Sequence, residues 1–270
     1  MNASRLLARV PNFVLWSYAA AVFGFLVVPL LIIVPLSFSS GMYLQFPPPG
    51  FSLQWYQDYF TDSQWTDATL LSIEIAACVV VLAVSIGSLA ALAIVRMPFP
   101  GLAIIRVILM TPMIVPSIVV AVAVYSVYVS LHLIASFLGI VLAHTILALP
   151  FTIVLMVAGF QRVDRRLEEA SYTMGAGAFR TFRNVTLPIL KPSLFAAAIF
   201  AFMASWDEVI MVIFIGGDEA TTLPLRMFNY LRTEINPTIA AVSTLLLAFA
   251  IIVFAATEGL RLRGKARRGG

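Results

Sequence analysis

Charged side chains are scarce in this sequence of 270 residues, where Asp, Glu, Lys and Arg together make up only 11%. Water-soluble domains carry about 25% charged residues. Hydrophobic residues reach 61%, and the mean hydropathy is +0.99. One soluble core of this size cannot hide so much apolar surface. The composition therefore excludes an ordinary soluble domain and predicts a protein whose solvent is lipid.

Cysteine and histidine are also nearly missing. Cys78 is the single cysteine, which excludes a disulfide within the chain. The two histidines, His132 and His144, have no cysteine or histidine at zinc-ligand spacing, and the sequence contains neither HExxH nor GxSxG. We therefore expect no metal site and no catalytic residue, and we interpret a lone histidine in an apolar helix as a hydrogen-bonded packing residue.

One stretch matches a nucleotide-binding pattern in part. Residues 259–265 fit G-x-x-x-x-G-K, but the next residue is Ala266, which has no hydroxyl for a metal ion. The stretch also follows an apolar helix instead of a strand, which is not the context of a P-loop. We interpret the match as chance and expect the chain to bind no cofactor of its own.

Long apolar runs are abundant. A membrane-spanning helix needs about 20 mostly apolar residues. Six stretches qualify, so the predicted fold is all-α, a polytopic bundle forming a single domain over residues 1–270. They cover residues 13–38, 69–95, 102–130, 136–160, 194–215 and 239–260. Pro112 and Pro116 are expected to bend the third span, since proline interrupts helical hydrogen bonding.

The basic residues predict the orientation. If both termini lie in the cytoplasm, fifteen of the seventeen lysines and arginines fall on the inner side, leaving only Arg226 and Arg232 outside. Lys and Arg concentrate in cytoplasmic loops of membrane proteins. The same rule explains the net charge of +4 without a nucleic-acid partner.

Two longer segments would lie outside the membrane, residues 39–68 and residues 216–237. The first is rich in proline and aromatic residues, which suit a membrane interface, and a short helix is predicted around residues 54–60. The second is long enough for a helix between Pro224 and Asn236. Either segment could receive a soluble partner, or both could be ordinary solvated loops.

The longest polar interval is residues 163–188, which we call the coupling loop. Asp164 is a good N-cap for a helix that begins at Arg165, and Gly175 is placed to end that helix in a left-handed conformation. A second short helix is predicted after Gly177, with Phe179 and Phe182 on one side. Leu187, Pro188 and Pro192 are predicted to end it before the next span. A plain amphipathic surface helix is the alternative.

The spacing inside the coupling loop resembles a known motif. Glu169-Ala170-Ser171, three residues, Gly175, nine residues and then Val185-Thr186-Leu187-Pro188 resemble the EAA motif E-A-A-x3-G-x9-I-x-L-P. That motif marks permease subunits of bacterial ATP-binding-cassette (ABC) importers. Ser171 stands in place of alanine and Val185 in place of isoleucine.

The resemblance implies the type I ABC importer permease fold in the bacterial inner (cytoplasmic) membrane. It implies partners as well: two ATP-binding subunits that carry ATP and magnesium, a second permease subunit, and an extracytoplasmic solute-binding protein. The coupling loop would lie in the cytoplasm and dock into an ATP-binding subunit. The residues expected to contribute to this docking are Glu168, Glu169, Ala170, Gly175, Phe179, Phe182, Leu187 and Pro188.

A second resemblance concerns the solute. Trp206-Asp207-Glu208, Thr222-Leu223-Pro224 and residues 236–241 are similar to the spermidine/putrescine (PotC-like) permease group. Asp207 and Glu208 fall about 13 residues into the fifth span, which is near mid-membrane at about 1.5 Å per residue. Intramembrane acids usually face a water-filled path or a partner charge.

A cationic solute pathway is therefore predicted, with Trp206, Asp207, Glu208, Glu74 and Tyr125 as its residues. The two aromatic rings could contact an ammonium group by cation–π interaction. A structural role for Asp207 and Glu208, in hydrogen bonds to another helix, is the alternative. The rival function is an ion-coupled secondary transporter that uses these carboxylates as proton carriers, but it gives no reason for the motif in the coupling loop.

Overall fold

The computed structural model describes residues 12–97, 99–217, 220–233 and 236–266, with side chains described from residue 13 to residue 252. Among these residues there is no β-strand, only an isolated bridge between Ser39 and Phe51. The helices are α1 Asn12–Ser37, α2 Gln54–Thr61, α3 Ser63–Arg96, α4 Leu102–Ile114, α5 Ser117–Leu131, α6 Phe137–Gln161, α7 Arg165–Thr173, α8 Ala178–Thr181, a π-helical turn Phe182–Thr186, α9 Leu187–Trp206, α10 Ile210–Ile215, α11 Leu223–Thr233 and α12 Thr238–Ala266.

Four helical stretches are long and apolar enough to cross a membrane: Phe13–Ser37, Ser63–Arg96, Phe137–Gln161 and Ala178–Trp206. The pair α4 and α5 makes a fifth if it is one broken span. The part of α12 with described side chains, Thr238–Ile252, is apolar but shorter. The all-α membrane architecture is thus confirmed, while the count of six spans stays a prediction.

The third predicted span is broken rather than gently bent. Its halves, α4 and α5, meet at an angle of 108°. Val115, between them, has extended backbone angles, as expected for a residue that precedes proline. Pro112 lies inside α4, so the break falls at Pro116.

The fifth predicted span begins earlier and ends earlier than expected. The prediction that Leu187, Pro188 and Pro192 end the helix of the coupling loop is wrong, because the chain is helical without interruption from Ala178 to Trp206. Pro188 lies ten residues into this continuous helix, directly after a π turn that alters the regular helical bonding. The π turn before it shifts the bonding by one residue, with the Leu187 N–H donating to the Phe182 carbonyl.

The described residues fall into two compact units, one within residues 64–228 and the other within residues 12–63 and 229–266. In the first unit α6 is the central helix, packed against α9, α4 and α10. Small residues allow close approach here. A Cβ at Gly87 of α3 would overlap Thr152 of α6, whose hydroxyl donates to the Ala83 carbonyl at 3.0 Å. A Cβ at Gly159 would similarly meet Ser193 of α9. Small interfacial residues are typical of helix packing in membranes.

In the other unit α1 packs against α12. The predicted short helix around residues 54–60 is confirmed as α2. Its buried Trp55 donates from Nε1 to the Ser39 carbonyl at 2.7 Å, and its Tyr56 hydroxyl lies 2.7 Å from that of Ser37. The predicted helix after Pro224 is present as α11, which begins one residue earlier.

Candidate functional site

The coupling loop begins and turns as its sequence predicts. The Asp164 carboxylate accepts a hydrogen bond from the Arg166 N–H at 2.9 Å and caps α7. Gly175 has a φ of +83°, and the Ala176 N–H after it donates to the Ser171 carbonyl at 3.1 Å. This is the left-handed helix end for which glycine is favoured. Gly177, at φ −73°, precedes α8.

A buried hydrogen bond joins the two short helices. The hydroxyl groups of Ser171 in α7 and Thr181 in α8 lie 3.0 Å apart, and Thr181 is only 1% exposed. The serine that stands in place of the motif's alanine therefore has a partner inside the loop. This bond fixes the orientation of α7 relative to α8.

Glu168 connects the coupling loop to a neighbouring helix. Its Oε2 lies 3.0 Å from Nη2 of Arg96, the last residue of α3, and its Oε1 accepts a hydrogen bond from the Thr186 hydroxyl at 2.6 Å. Arg96 also donates to the Val163 carbonyl at 3.4 Å. Sequence analysis missed Arg96, because a partner 72 positions away leaves no local pattern.

The coupling loop also exposes several large apolar side chains among its charged ones. Phe179 is 75% exposed and Met174 is 80% exposed. Leu167, Tyr172 and Phe182 are exposed as well. Of the other predicted docking residues, Glu169, Ala170, Gly175 and Pro188 are exposed and Leu187 is half-buried. Exposed aromatic and methionine side chains are typical of a protein interface.

A second feature lies at the other end of the helix that leaves the coupling loop. α9 ends at Trp206, and α10 begins at Ile210 after a short non-helical stretch. The Glu208 carboxylate accepts a hydrogen bond from the Met211 N–H at 2.9 Å, so it caps α10. The fifth predicted span is therefore a discontinuous helix with an acid at its break.

The breaks in the third and fifth spans border the same cavity of about 450 Å³. Among the described residues that line it, Glu208 is the only charged one. The others come from the α4–α5 break, from α6 and from α9: Pro112, Met113, Val115, Ser117, Leu147, Phe151, Phe200, Met203 and Ala204. The cavity thus presents one carboxylate in apolar surroundings.

The other predicted pathway residues do not line this cavity. Asp207 is exposed, and Trp206 stacks on Phe202 with ring centroids 5.4 Å apart. Glu74 of α3 and Tyr125 of α5 are exposed too. The structure therefore separates Glu208 from the residues that sequence analysis grouped with it.

His144 fits the expected packing role. It is 1% exposed, and its Nδ1 lies 3.0 Å from the hydroxyl of Ser205, in the last turn of α9. The contact joins α6 to the helix end just before Asp207. Within the described residues, no group of three metal-binding side chains is present.

Comparison with known proteins decides the family. Residues 52–263 match the family described as "Binding-protein-dependent transport system inner membrane component". The chain belongs to this family. The family resemblance inferred from the coupling loop is thus confirmed.

Relatives and solved structures agree. The chain is 32% identical to the "Putrescine transport system permease protein PotI" of Escherichia coli K12, covering 92% of this chain and 93% of that protein. It is 29% identical to the "Spermidine/putrescine transport system permease protein PotC" of Haemophilus influenzae, covering 87% and 91%. A chain of a bacterial ABC transporter involved in the import of alginate superposes with a TM-score of 0.71 at 17% identity, covering 96% and 98%.

The protein is therefore a permease subunit of an ABC importer and a multi-pass protein of the bacterial inner membrane. It is a transport subunit and not an enzyme, because a separate subunit hydrolyses ATP in this family. Family membership also implies a complex with ATP-binding subunits, permease subunits and a substrate-binding protein. The main functional prediction is confirmed, and the ion-coupled alternative is set aside.

Proposed function

We propose that this permease moves a small organic cation of the polyamine class into the cytoplasm and that Glu208 is its recognition group. The observation that carries the proposal is the single carboxylate in a mostly apolar cavity bordered by two broken helices. Discontinuous helices of this kind form solute sites in other transporters.

The electrostatics of Glu208 favour a cationic solute. A charged carboxylate costs about 2.5–3.5 kcal/mol at the centre of a spanning helix. The Met211 N–H offsets part of this cost, but Glu208 has no ion-pair partner among the described residues. An ammonium group of the solute would provide the missing charge during passage.

The rest of the cavity suits a flexible aliphatic chain. Phe151 of α6 and Phe200 of α9 stack with ring centroids 6.4 Å apart, and both rings line the cavity. Aromatic faces attract ammonium groups and also pack against methylene groups. A volume of about 450 Å³ lies within the range of about 300–1,000 Å³ usual for small-molecule pockets.

The named relatives support the same solute class. One is a putrescine permease and the other a spermidine/putrescine permease, and both match along most of this chain. The structural neighbour named for an acidic polysaccharide shares only the fold at 17% identity, so it gives no argument about charge.

Coupling to ATP is the second part of the proposal. The assembled importer would contain two ATP-binding subunits that bind ATP and magnesium, a second permease subunit, and an extracytoplasmic solute-binding protein. The exposed apolar side chains of the coupling loop, with Glu169 beside them, would dock on one ATP-binding subunit in the cytoplasm. Asp207, Glu74, Trp206 and Tyr125 would then lie along the wider pathway, outside the cavity at Glu208.

Reconstituted transport tests this function. The complete importer is placed in liposomes with ATP inside and the solute-binding protein outside, and uptake of labelled putrescine is measured. We expect ATP-dependent uptake that excess spermidine inhibits and that an excess of a neutral diol or a dicarboxylate does not. Absence of ATP-dependent putrescine uptake, together with ATP-dependent uptake of a labelled dicarboxylate, would overturn the assignment of a cationic solute.

A further inference from the structure

Two adjacent glutamates in the coupling loop have opposite surroundings. Glu169 is exposed, whereas the side chain of Glu168 is only 21% exposed and both of its carboxylate oxygens have partners. The motif residue Glu169 therefore faces away from its own chain and is accessible to a docking partner. Glu168 faces the remainder of its own chain.

The partners of Glu168 belong to segments that lead into the bundle. Arg96 is the last residue of α3, and its side chain is 13% exposed. Thr186 is buried in the π turn, which continues directly into α9. α9 in turn ends at the break that carries Glu208. One carboxylate thus joins the docking helix α7 to two helices of the bundle.

The contact is built as a rigid link. Hydrogen bonds to a charged group are shorter and stronger than neutral ones, and the two oxygens of Glu168 bind two different segments at 3.0 Å and 2.6 Å. The Val163 carbonyl supplies a second contact to Arg96. π-helical turns are rare and frequently occur at functional sites.

We propose that Glu168 is a positioning residue that transmits displacement of the coupling loop to α3 and α9. The proposal rests on the docking of an ATP-binding subunit at this loop. When that subunit moves α7, the ion pair to Arg96 moves α3, and the hydrogen bond to Thr186 moves the start of α9. Without Glu168 the coupling loop would still dock on the ATP-binding subunit, but some cycles of ATP hydrolysis would not open the cavity and would move no solute.

The test compares four variants and one control variant with wild type in the complete importer, reconstituted in liposomes. Glu168→Gln removes the ion pair and keeps an acceptor for Thr186. Arg96→Gln removes its partner, the double variant removes both charges, and Thr186→Val removes only the hydrogen bond. Arg162→Gln is the matched control, since Arg162 is exposed and lies one residue before the coupling loop.

Two quantities are measured: co-purification of the ATP-binding subunits, and the ATP hydrolysed per putrescine taken up. We expect normal co-purification in all variants. The ATP used per putrescine should rise about fivefold in Glu168→Gln and in Arg96→Gln, and the double variant should be no worse than either, because residues in one contact are not additive. Thr186→Val should show a smaller rise, and Arg162→Gln none.

Three results would overturn the proposal. The first is a wild-type amount of ATP hydrolysed per putrescine in both Glu168→Gln and Thr186→Val, and the second is a double variant whose effect is the product of the two single effects. The third is loss of co-purified ATP-binding subunits while the remaining complex uses a wild-type amount of ATP per putrescine. Failure of the docking assignment has a different outcome. In that case, removing the exposed apolar side chains of the coupling loop would leave co-purification of the ATP-binding subunits unchanged.

Discussion

The coupling loop and the cavity each contain a glutamate beside a helix end, and the two carboxylates differ in what surrounds them. Glu168 is bound on both oxygens by groups of its own chain, an arginine and a threonine hydroxyl. Glu208 caps a helix by accepting from backbone N–H groups and otherwise faces a mostly apolar cavity. The first arrangement fixes a geometry, and the second leaves a charge for a solute to pair with.

This difference matches the two tasks of an importer permease. A loop that transmits motion benefits from internal contacts that are complete, so that displacement of one part moves the others. A pathway benefits from contacts that remain incomplete until the solute arrives, since interactions already satisfied cannot contribute to binding. The predictions below test the two regions separately, from the largest expected effect to the smallest.

The largest effect is expected in the turn of the coupling loop. Gly175→Leu should abolish ATP-driven uptake while the protein still inserts into the membrane. A Cβ at Gly175 would meet open space, so the cost comes from the φ of +83°, which is about 1–2 kcal/mol for a residue other than glycine. Reshaping the turn would displace the surface that docks the ATP-binding subunit. Uptake and membrane insertion are measured together.

Gly177→Ala is the matched control for this variant. Gly177 also has open space around a Cβ, but its φ of −73° is available to any residue. Its uptake should remain close to wild type. Equal uptake in the Gly175 and Gly177 variants would contradict a role for the left-handed turn.

A smaller but still large effect is expected at the cavity. Glu208→Gln should lower putrescine uptake at least about tenfold, because removing one member of a buried charge pair costs about 2 kcal/mol or more and about 1.4 kcal/mol already corresponds to tenfold. Asp207→Asn is the comparison, since this neighbouring acid is exposed and does not line the cavity. We expect a change of less than about threefold there. A larger loss in Asp207→Asn than in Glu208→Gln would reverse the assignment.

An intermediate effect, on affinity for the ATP-binding subunit, is expected at the exposed apolar side chains of the coupling loop. Phe179→Ser removes a ring that is 75% exposed, so the melting temperature of the purified permease should not change. Affinity for the ATP-binding subunit should fall about fivefold, as for an aromatic residue at an interface. Binding is measured with the permease in nanodiscs. Unchanged affinity together with a lowered melting temperature would show that the ring is a structural residue.

The smallest effect on uptake is expected at the hydrogen bond between His144 and Ser205. Ser205→Ala removes the hydrogen bond to His144, and such bonds between membrane helices contribute about 0.6 kcal/mol. The melting temperature should fall by about 1–2 °C, with uptake within about twofold of wild type. Ser126→Ala is the control, because that hydroxyl bonds only within α5. A tenfold loss of uptake in Ser205→Ala would place His144 in the transport mechanism itself.

The two regions also differ in how far sequence predicted them. In the coupling loop, Asp164 and Gly175 act on residues within five positions of themselves, and both predictions are confirmed. Caps and left-handed helix ends depend on local residue type. Pro188 misled the prediction because the helix continues through it directly after a π turn, and that turn has no clear sequence pattern.

In the cavity, sequence analysis located the acids but not their surroundings. The run around Asp207 and Glu208 is apolar enough to predict a continuous helix, and only tertiary structure shows the break. Which of two adjacent acids lines a cavity depends on the backbone at that break. The partners Arg96–Glu168 and His144–Ser205 are 72 and 61 positions apart, so local patterns could not reveal them.

One measurement tests most directly whether the coupling loop binds the ATP-binding subunit while Glu208 binds the solute. Wild type, Glu208→Gln and Gly175→Leu are reconstituted side by side with the other subunits, and both bound ATP-binding subunit and putrescine uptake are measured for each. We predict that Glu208→Gln retains the ATP-binding subunits and loses at least about nine-tenths of its uptake, whereas Gly175→Leu loses both. Wild-type uptake by Glu208→Gln, or loss of the ATP-binding subunits from it, would contradict the account.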